Sequence, residues 1–382
     1  MRITAVETFQ VPPRWLFVKV STDEGLAGWG EATLEGSSDV VRAAVAALAE
    51  ALVGTDPAAI ENHWQTLTKG GFYRGGPVLS SAVAGIDQAL WDLAGKTLGV
   101  PVYRLLGGPV RDRVRIYGWV GGDDPGEVTD AVAAQVEAGL TAVKMNVAGR
   151  LPHLPTPADT EGVLQRAAAA RAVLGPDRDV AIDFHGRVSA PAARRLLPLL
   201  EPLHPLFVEE PVRPGVDPAA FARLVAGSST PIATGERLYS RAEFLPVLQA
   251  GVAVVQPDIA HAGGISEVRR IAALAETFDA ALAPHCPLGP LALAACLQVD
   301  FATPNVLIQE QSLGIHYNVG SDLLDLVIDR SAFAFVDGHI ARTESPGLGI
   351  EVDEAAVRAA DARAEPWRTP VWRHADGSFA EW

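Results

Sequence analysis

Six acidic or imidazole side chains recur at nearly even spacing along the chain, each at the end of an apolar run. They are Asp183 in VAIDFH, Glu209 in LFVEE, Glu236 in PIATGE, Asp258 in VAVVQPD, His285 in ALAPH and Glu310 in VLIQE. The steps between them are 26, 27, 22, 27 and 25 residues. A step of about 25 residues fits one strand, one helix and two short loops. A series of such units, each ending its strand on a chemically active side chain, predicts a parallel (β/α)8 barrel. The six side chains would then gather at the carboxyl-terminal rim of the strands.

VRIYGWVGG (114–122) and TAVKMN (141–146) supply the first two strands, and the six runs above bring the count to eight. Helices are expected in the gaps: one ending at Gly139, then 240–249, 265–278 and 290–299. Residues 147–160 hold three prolines and read as a longer loop near the site. The first 113 residues do not follow the rhythm. WLFVKV and LAGWGEA flank a turn at Asp23-Glu24-Gly25, and helices are expected over 40–53, 59–68 and 80–99. This divides the chain into an α+β domain (1–113), a barrel (114–343) and a tail (344–382) that returns to the first domain. In the tail, SPGLGIEVDE reads as a turn and strand, and Trp367, Trp372 and Trp382 suggest a buried terminus.

The net charge of −15 argues against nucleic acid or an anionic membrane as partner, since both call for a basic surface. It does not exclude an acidic small molecule, because a bound cation reverses the local field. No apolar run reaches the roughly 18–20 residues of a membrane span, and the opening residues lack a signal peptide's apolar stretch. The two cysteines, Cys286 and Cys296, suit a reducing cytoplasm.

Asp183, Glu209 and Glu236 end three consecutive strands, so their carboxylates would face one another. Any one of them could simply pair with a surface cation. Three in succession repel one another unless a cation lies between them. All-oxygen ligands suit Mg²⁺ first and Mn²⁺ second. Adjacent Glu209 and Glu210 point to opposite sides of a strand, and spacing alone does not choose between them. His185, two residues after Asp183, shares its side. Asp258 and His285 end neighbouring strands, so the carboxylate can hold one imidazole nitrogen and leave the other as a base. Lys144 and Asn146 end the second strand together, and Lys144 suits a substrate carboxylate or enolate. His63, His153, His204, His261, His339 and His374 read as structural, and His316 as a candidate for substrate contact. GGFYRGG and LLGG read as turns, without the setting of a phosphate loop.

This set suits removal of a weakly acidic proton next to a carboxylate. A metal would stabilise the enediolate. His285 is the natural base, and His185 is placed to protonate a β-hydroxyl and expel water. The residues point to β-elimination from a hydroxy acid.

The same residues carry a family resemblance. RWLFVKVSTDEG, GWGEA, GFYRGGPVLSSAVAGIDQALWD, YGWVGGD, DFHGRVSAP, FVEEP, GER, QPD, HAGGI, APHCPLGPLALAAC, QEQSLGIHYN, PGLGIEVDE and WRHADGSFAEW follow in order. On these motifs the chain resembles the mandelate racemase branch of the enolase superfamily along essentially its whole length. The resemblance implies a modified (β/α)8 barrel under a capping domain, with Mg²⁺ on Asp183, Glu209 and Glu236. It implies His285 as base with Asp258 behind it, His185 as acid and Glu310 bonded to the substrate or enolate. It implies conversion of D-galactonate to 2-dehydro-3-deoxy-D-galactonate and water, with specificity from capping-domain loops near Arg14, Trp15 and Trp29, with Arg14 and Trp15 as substrate contacts, and from the 147–160 segment. It also implies a homo-oligomer, octamers being common in the branch.

Two departures stand out. Many superfamily members end the second strand Lys-x-Lys, whereas Asn146 occupies the second place here, which argues against a two-base racemase of the Lys/His kind. RLPHLPTP (150–157) has no confident match in the family, which leaves room for mannonate, gluconate or a pentonate as substrate. An isomerase of the same superfamily and a sugar-acid-binding protein without turnover are the remaining rivals.

Overall fold

In the computed structural model, residues 1–147, 149–313 and 323–382 are described. The chain opens with antiparallel strands β1 (Ile3–Val11), β2 (Trp15–Thr22) and β3 (Ala27–Glu31), followed by helices α1 (Ser38–Ala49), α2 (Ile60–Lys69) and α3 (Pro77–Leu98). β2 and β3 are the two strands expected around Asp23-Glu24-Gly25, and β1 adds a third. Gly28 and Gly30 of β3 explain how closely α3 lies on the sheet. A Cβ at either position would overlap a main-chain carbonyl of that helix, Ala89 or Gly85. Only glycine at alternate strand positions permits that approach.

After the short α4 (Val102–Leu105) the barrel begins. Its strands are β4 (Arg113–Val120), β5 (Ala142–Asn146), β6 (Asp179–Asp183), β7 (Val208–Glu209), β8 (Ile232–Thr234), β9 (Val254–Val255), β10 (Ala281–Leu282) and β11 (Gln309–Gln311). Consecutive strands pair in parallel from β4 to β10, and β11 pairs in parallel with β4. A parallel bridge from Leu282 to Val306 closes the ring. Helices α5 (Pro125–Glu137), α6 (Pro157–Leu174), α7 (Ala190–Leu200), α8 (Pro218–Ala226), α9 (Arg241–Gln249), α10 (Gly264–Thr277) and α11 (Pro290–Ala302) fill the gaps. Tyr117, Ala142, Ala181, Phe207, Ala233, Val254, Ala283 and Ile308, one from each strand run, form a single buried cluster. The barrel interior is therefore a packed core.

Three expectations change. The proline-rich segment stops being a loop at Pro157, where α6 begins. Thr156 Oγ1 accepts the Asp159 amide and the Asp159 carboxylate accepts the Thr156 amide, a reciprocal cap that overrides the preceding prolines. SPGLGIEVDE forms isolated bridges at Gly347 and Val352 instead of a strand, and α12 (Glu354–Asp361) starts inside it, capped by Asp353. The hairpin β12 (Phe335–Val336) and β13 (His339–Ala341) was not foreseen, and it adds antiparallel to the start of β4.

The first domain sits on the rim where α10 and α11 begin. The Glu31 carboxylate accepts the amides of Gly289 and Ala292 at 2.9 and 3.0 Å, capping α11 from another domain. Asp87 accepts the Ser266 amide at the start of α10, and Trp64 donates to the Gly263 carbonyl at 2.9 Å. Helix α12 returns to β1 and β2, with Lys19 2.8 Å from Glu354 and Arg358 3.0 Å from Glu7. The tail ends in the small hairpin β14 (Trp372–Arg373) and β15 (Phe379–Ala380). Among the described residues no helix is long and apolar enough to cross a membrane.

Candidate active site

Strand β6 delivers Asp183 into a cavity of about 630 Å³ at the carboxyl rim. His185 lines the same cavity, but not by strand alternation. The chain turns after Asp183, with His185 at φ +52° and Gly186 at φ +61°, and the His185 amide donates to Asp183 Oδ1. Left-handed backbone at a non-glycine residue costs energy and marks a position held by its surroundings. At Gly186 the Arg237 guanidinium occupies the place a Cβ would need.

Glu209 ends β7, and Glu210 leaves the strand at φ +42°, so the two carboxylates part at a turn of the chain. Glu210 turns to Thr234, the Gly235 amide and Arg237, the last at 2.8 Å. Glu209 faces the interior, where Lys144 Nζ lies 2.6 Å from Oε1 and Gln256 Nε2 2.7 Å from Oε2. Burial raises the Glu209 carboxyl well above the usual range. Lys144 opposes that shift, and the nearby Asp183, Glu310 and Glu236 add to it. For Glu236 burial also works upward, yet His285, Arg237 and His185 outweigh it and hold the carboxyl well below the usual range. Asp183 and Glu236 line the cavity, and Glu209, buried and outside the lining, feels the charge of both; carboxylate oxygens are the donors that suit a hard divalent cation.

Lys144 is buried and spans two carboxylates, Glu209 and, at 2.9 Å, Glu310. Burial disfavours its charge, but Glu209 and Glu310 prevail and raise it well above an ordinary lysine. The other Glu310 oxygen accepts the Cys286 amide at 3.0 Å. Asn146 lines the cavity beside Trp119.

His285 Nδ1 lies 2.8 Å from Asp258 Oδ2, and its Nε2 lies 3.4 Å from Glu236 Oε2. His261, a structural histidine by its sequence position, lines the cavity. Its Nδ1 lies 3.6 Å from Asp258 Oδ2 and its Nε2 3.5 Å from Glu35 Oε2 of the first domain. Burial lowers the His261 imidazole, and Asp258 and Glu35 more than reverse this, to about 9. Among the described residues, the ligand atoms of Asp258, His261 and His285 are the ones that fall within 4.8 Å of one another, close enough to hold a metal ion. The Asp258 carboxylate is also engaged by hydrogen bonds, Oδ2 with His285 Nδ1 and Oδ1 with the Ala260 amide at 2.7 Å.

Of the residues expected to set specificity, Arg14 lines the cavity, and Trp15 and Trp29 do not. The two tryptophans are buried in the core between sheet and barrel, and the Arg14 guanidinium lies 4.9 Å from the Trp15 ring centroid. From the proline-rich stretch Gly149 reaches the cavity, while Leu151 is buried and Arg150 stacks on Trp372. His316 lies outside the described residues. The lining also includes Arg187, Tyr239 and the half-buried tail residues Trp367, Trp372 and Trp382. Nothing local in the sequence placed them there.

Residues 2–107 match the mandelate racemase / muconate lactonizing enzyme N-terminal domain, and residues 127–356 match the enolase C-terminal domain-like family. The chain belongs to the mandelate racemase / muconate lactonizing enzyme family of the enolase superfamily. Among members of this family, it is 54% identical to the D-galactonate dehydratase of Ralstonia nicotianae and 50% identical to that of Pectobacterium atrosepticum, with all of each chain covered. An enolase from Agrobacterium radiobacter, a candidate galactarate dehydratase solved with sodium and L-malate bound, superposes with a TM-score of 0.91 at 34% identity over the full length of both chains.

Proposed function

We propose that this enzyme dehydrates D-galactonate to 2-dehydro-3-deoxy-D-galactonate. The observation that carries the reading is that His285 and His185 open onto one cavity, each with Nδ1 held by an oxygen. The α-proton passes from C2 of the substrate to His285 Nε2, and the electron pair moves into an enediolate. Lys144 sets a positive charge against that anion, and Glu310, bonded to Lys144, faces the same space. His185 then protonates the C3 hydroxyl, the C3–O bond breaks with loss of water, and the enol becomes the 2-keto acid. Asp183, Glu209 and Glu236 would hold Mg²⁺, or Mn²⁺ in its place, and a cation there supplies charge stabilisation to the substrate carboxylate. The choice of D-galactonate rests on the full-length identity to dehydratases of that acid.

The test is formation of 2-keto acid from a panel of acid sugars, with Mg²⁺ and with a chelator. Turnover of D-galactonate that disappears on chelation is expected. Turnover of mannonate, gluconate or a pentonate instead would overturn the substrate, and activity that survives chelation would overturn the metal.

A further inference from the structure

His185 Nδ1 lies 2.9 Å from the main-chain oxygen of Trp382, nearly two hundred positions away in sequence. The two rings also meet edge to face, with centroids 5.8 Å apart and planes at 88°. Trp382 is itself held from both domains. It packs on Trp367 at 5.9 Å, and Trp367 lies under the Arg14 guanidinium at 5.1 Å. Arg368 pairs with Asp39 at 2.7 Å. On the barrel side Trp372 lies within 4.7 Å of Arg187 and 5.3 Å of Arg150. Pairing of Trp372 with Ala380 then brings the last residues back over the cavity.

We propose that the carboxyl-terminal tail is part of the acid machinery, with the main-chain oxygen of Trp382 as the group that orients His185. This rests on the dehydratase reading. An acceptor at Nδ1 keeps a proton on that nitrogen and leaves Nε2 to face the cavity. His285 receives the same service from the carboxylate of Asp258, and His185 receives it from the main chain of a distant segment. Trp382 does not touch the reacting atoms, so it is a positioning residue. Because the interacting atom belongs to the main chain, a side-chain substitution reaches it only by loosening the ring packing on His185 and Trp367 that holds the residue in place. Removal of the residue is therefore the informative change.

The experiment compares the Mg²⁺-loaded wild type with a chain truncated after Glu381, with Trp382→Phe and with Trp382→Gly. Two rates are read on D-galactonate in D₂O: deuterium entry at C2 and release of 2-keto acid. A positioned general acid contributes about 10²–10⁴-fold, so loss of its orientation should slow dehydration by about tenfold or more. Exchange and KM should move less than about threefold, the conservative Phe variant should stay near wild type, and Trp382→Gly should shift the same ratio part of the way. An unchanged ratio of exchange to dehydration, whether both rates persist or both fall together, would overturn the proposal. If the truncated chain does not fold, Trp382→Gly decides by the same ratio. Long-range ¹⁵N–¹H spectra of histidine-labelled protein keep this separable from the substrate assignment. A protonated Nδ1 on His185 in wild type, lost on truncation, supports the positioning role even where D-galactonate is not turned over. The same signal in both proteins refutes it.

Discussion

Asp258 Oδ2 lies 2.8 Å from Nδ1 of His285, so a fully buried carboxylate fixes which imidazole nitrogen can accept a proton from the cavity. This divides the chemistry between two histidines. His285→Asn should abolish both deuterium exchange at C2 and dehydration. His185→Asn should block water loss and leave exchange measurable by NMR. Asp258→Asn should lower kcat by about 10²–10⁴-fold with a small change in KM. Full dehydration by both histidine variants would sink the mechanism.

Lys144 holds two buried acids, Glu209 and Glu310, at 2.6 and 2.9 Å. Lys144→Met should leave that negative charge uncompensated and cost about 3–5 kcal/mol in the metal-free protein. Urea denaturation of the two proteins measures it, and a loss below about 1 kcal/mol would show that the ion pairs contribute little.

Gly30 faces the Gly85 carbonyl with no room for a Cβ, whereas Gly162 in α6 has nothing within 4 Å of the Cβ position. Gly30→Ala should destabilise by about 1–3 kcal/mol through overpacking. Gly162→Ala should stabilise by about 0.5–1 kcal/mol through helix propensity. Melting temperatures moving in opposite directions would bear out both, and a neutral Gly30→Ala would mean that α3 shifts freely on its sheet.

Burial raises Glu31 to about 7 from an ordinary 4.5, against the pull of the Gly289 and Ala292 amides. The folded state therefore holds this proton more tightly than the unfolded chain does. The stability it contributes is complete below about 4.5 and is lost as pH rises through about 7. Glu31→Gln cannot titrate, so its stability should fall less than that of wild type between those two values. Identical slopes in calorimetry would show that Glu31 keeps an ordinary affinity for its proton.

The sequence by itself determined the barrel and most of its chemical rim. Most barrel strands lie in short, largely buried apolar runs, and the polar residue that ends such a run stands out by contrast, as Asp183 and Asp258 do. Helix ends were legible where local chemistry marks them, as at Gly139, which has φ +95°. Tertiary structure decided what depends on partners distant in sequence. Glu209 and Glu210 are equivalent as neighbours, and they differ because Lys144 and Gln256 wait on one side and Arg237 on the other. His261 looks like any interior histidine until Glu35 of the first domain approaches its ring at 3.5 Å. Trp15 and Trp29 look like pocket residues until the packing of sheet against barrel buries them. Trp382 meets His185 through a main-chain oxygen, a group every residue carries, so only the folded path of the tail could reveal the contact.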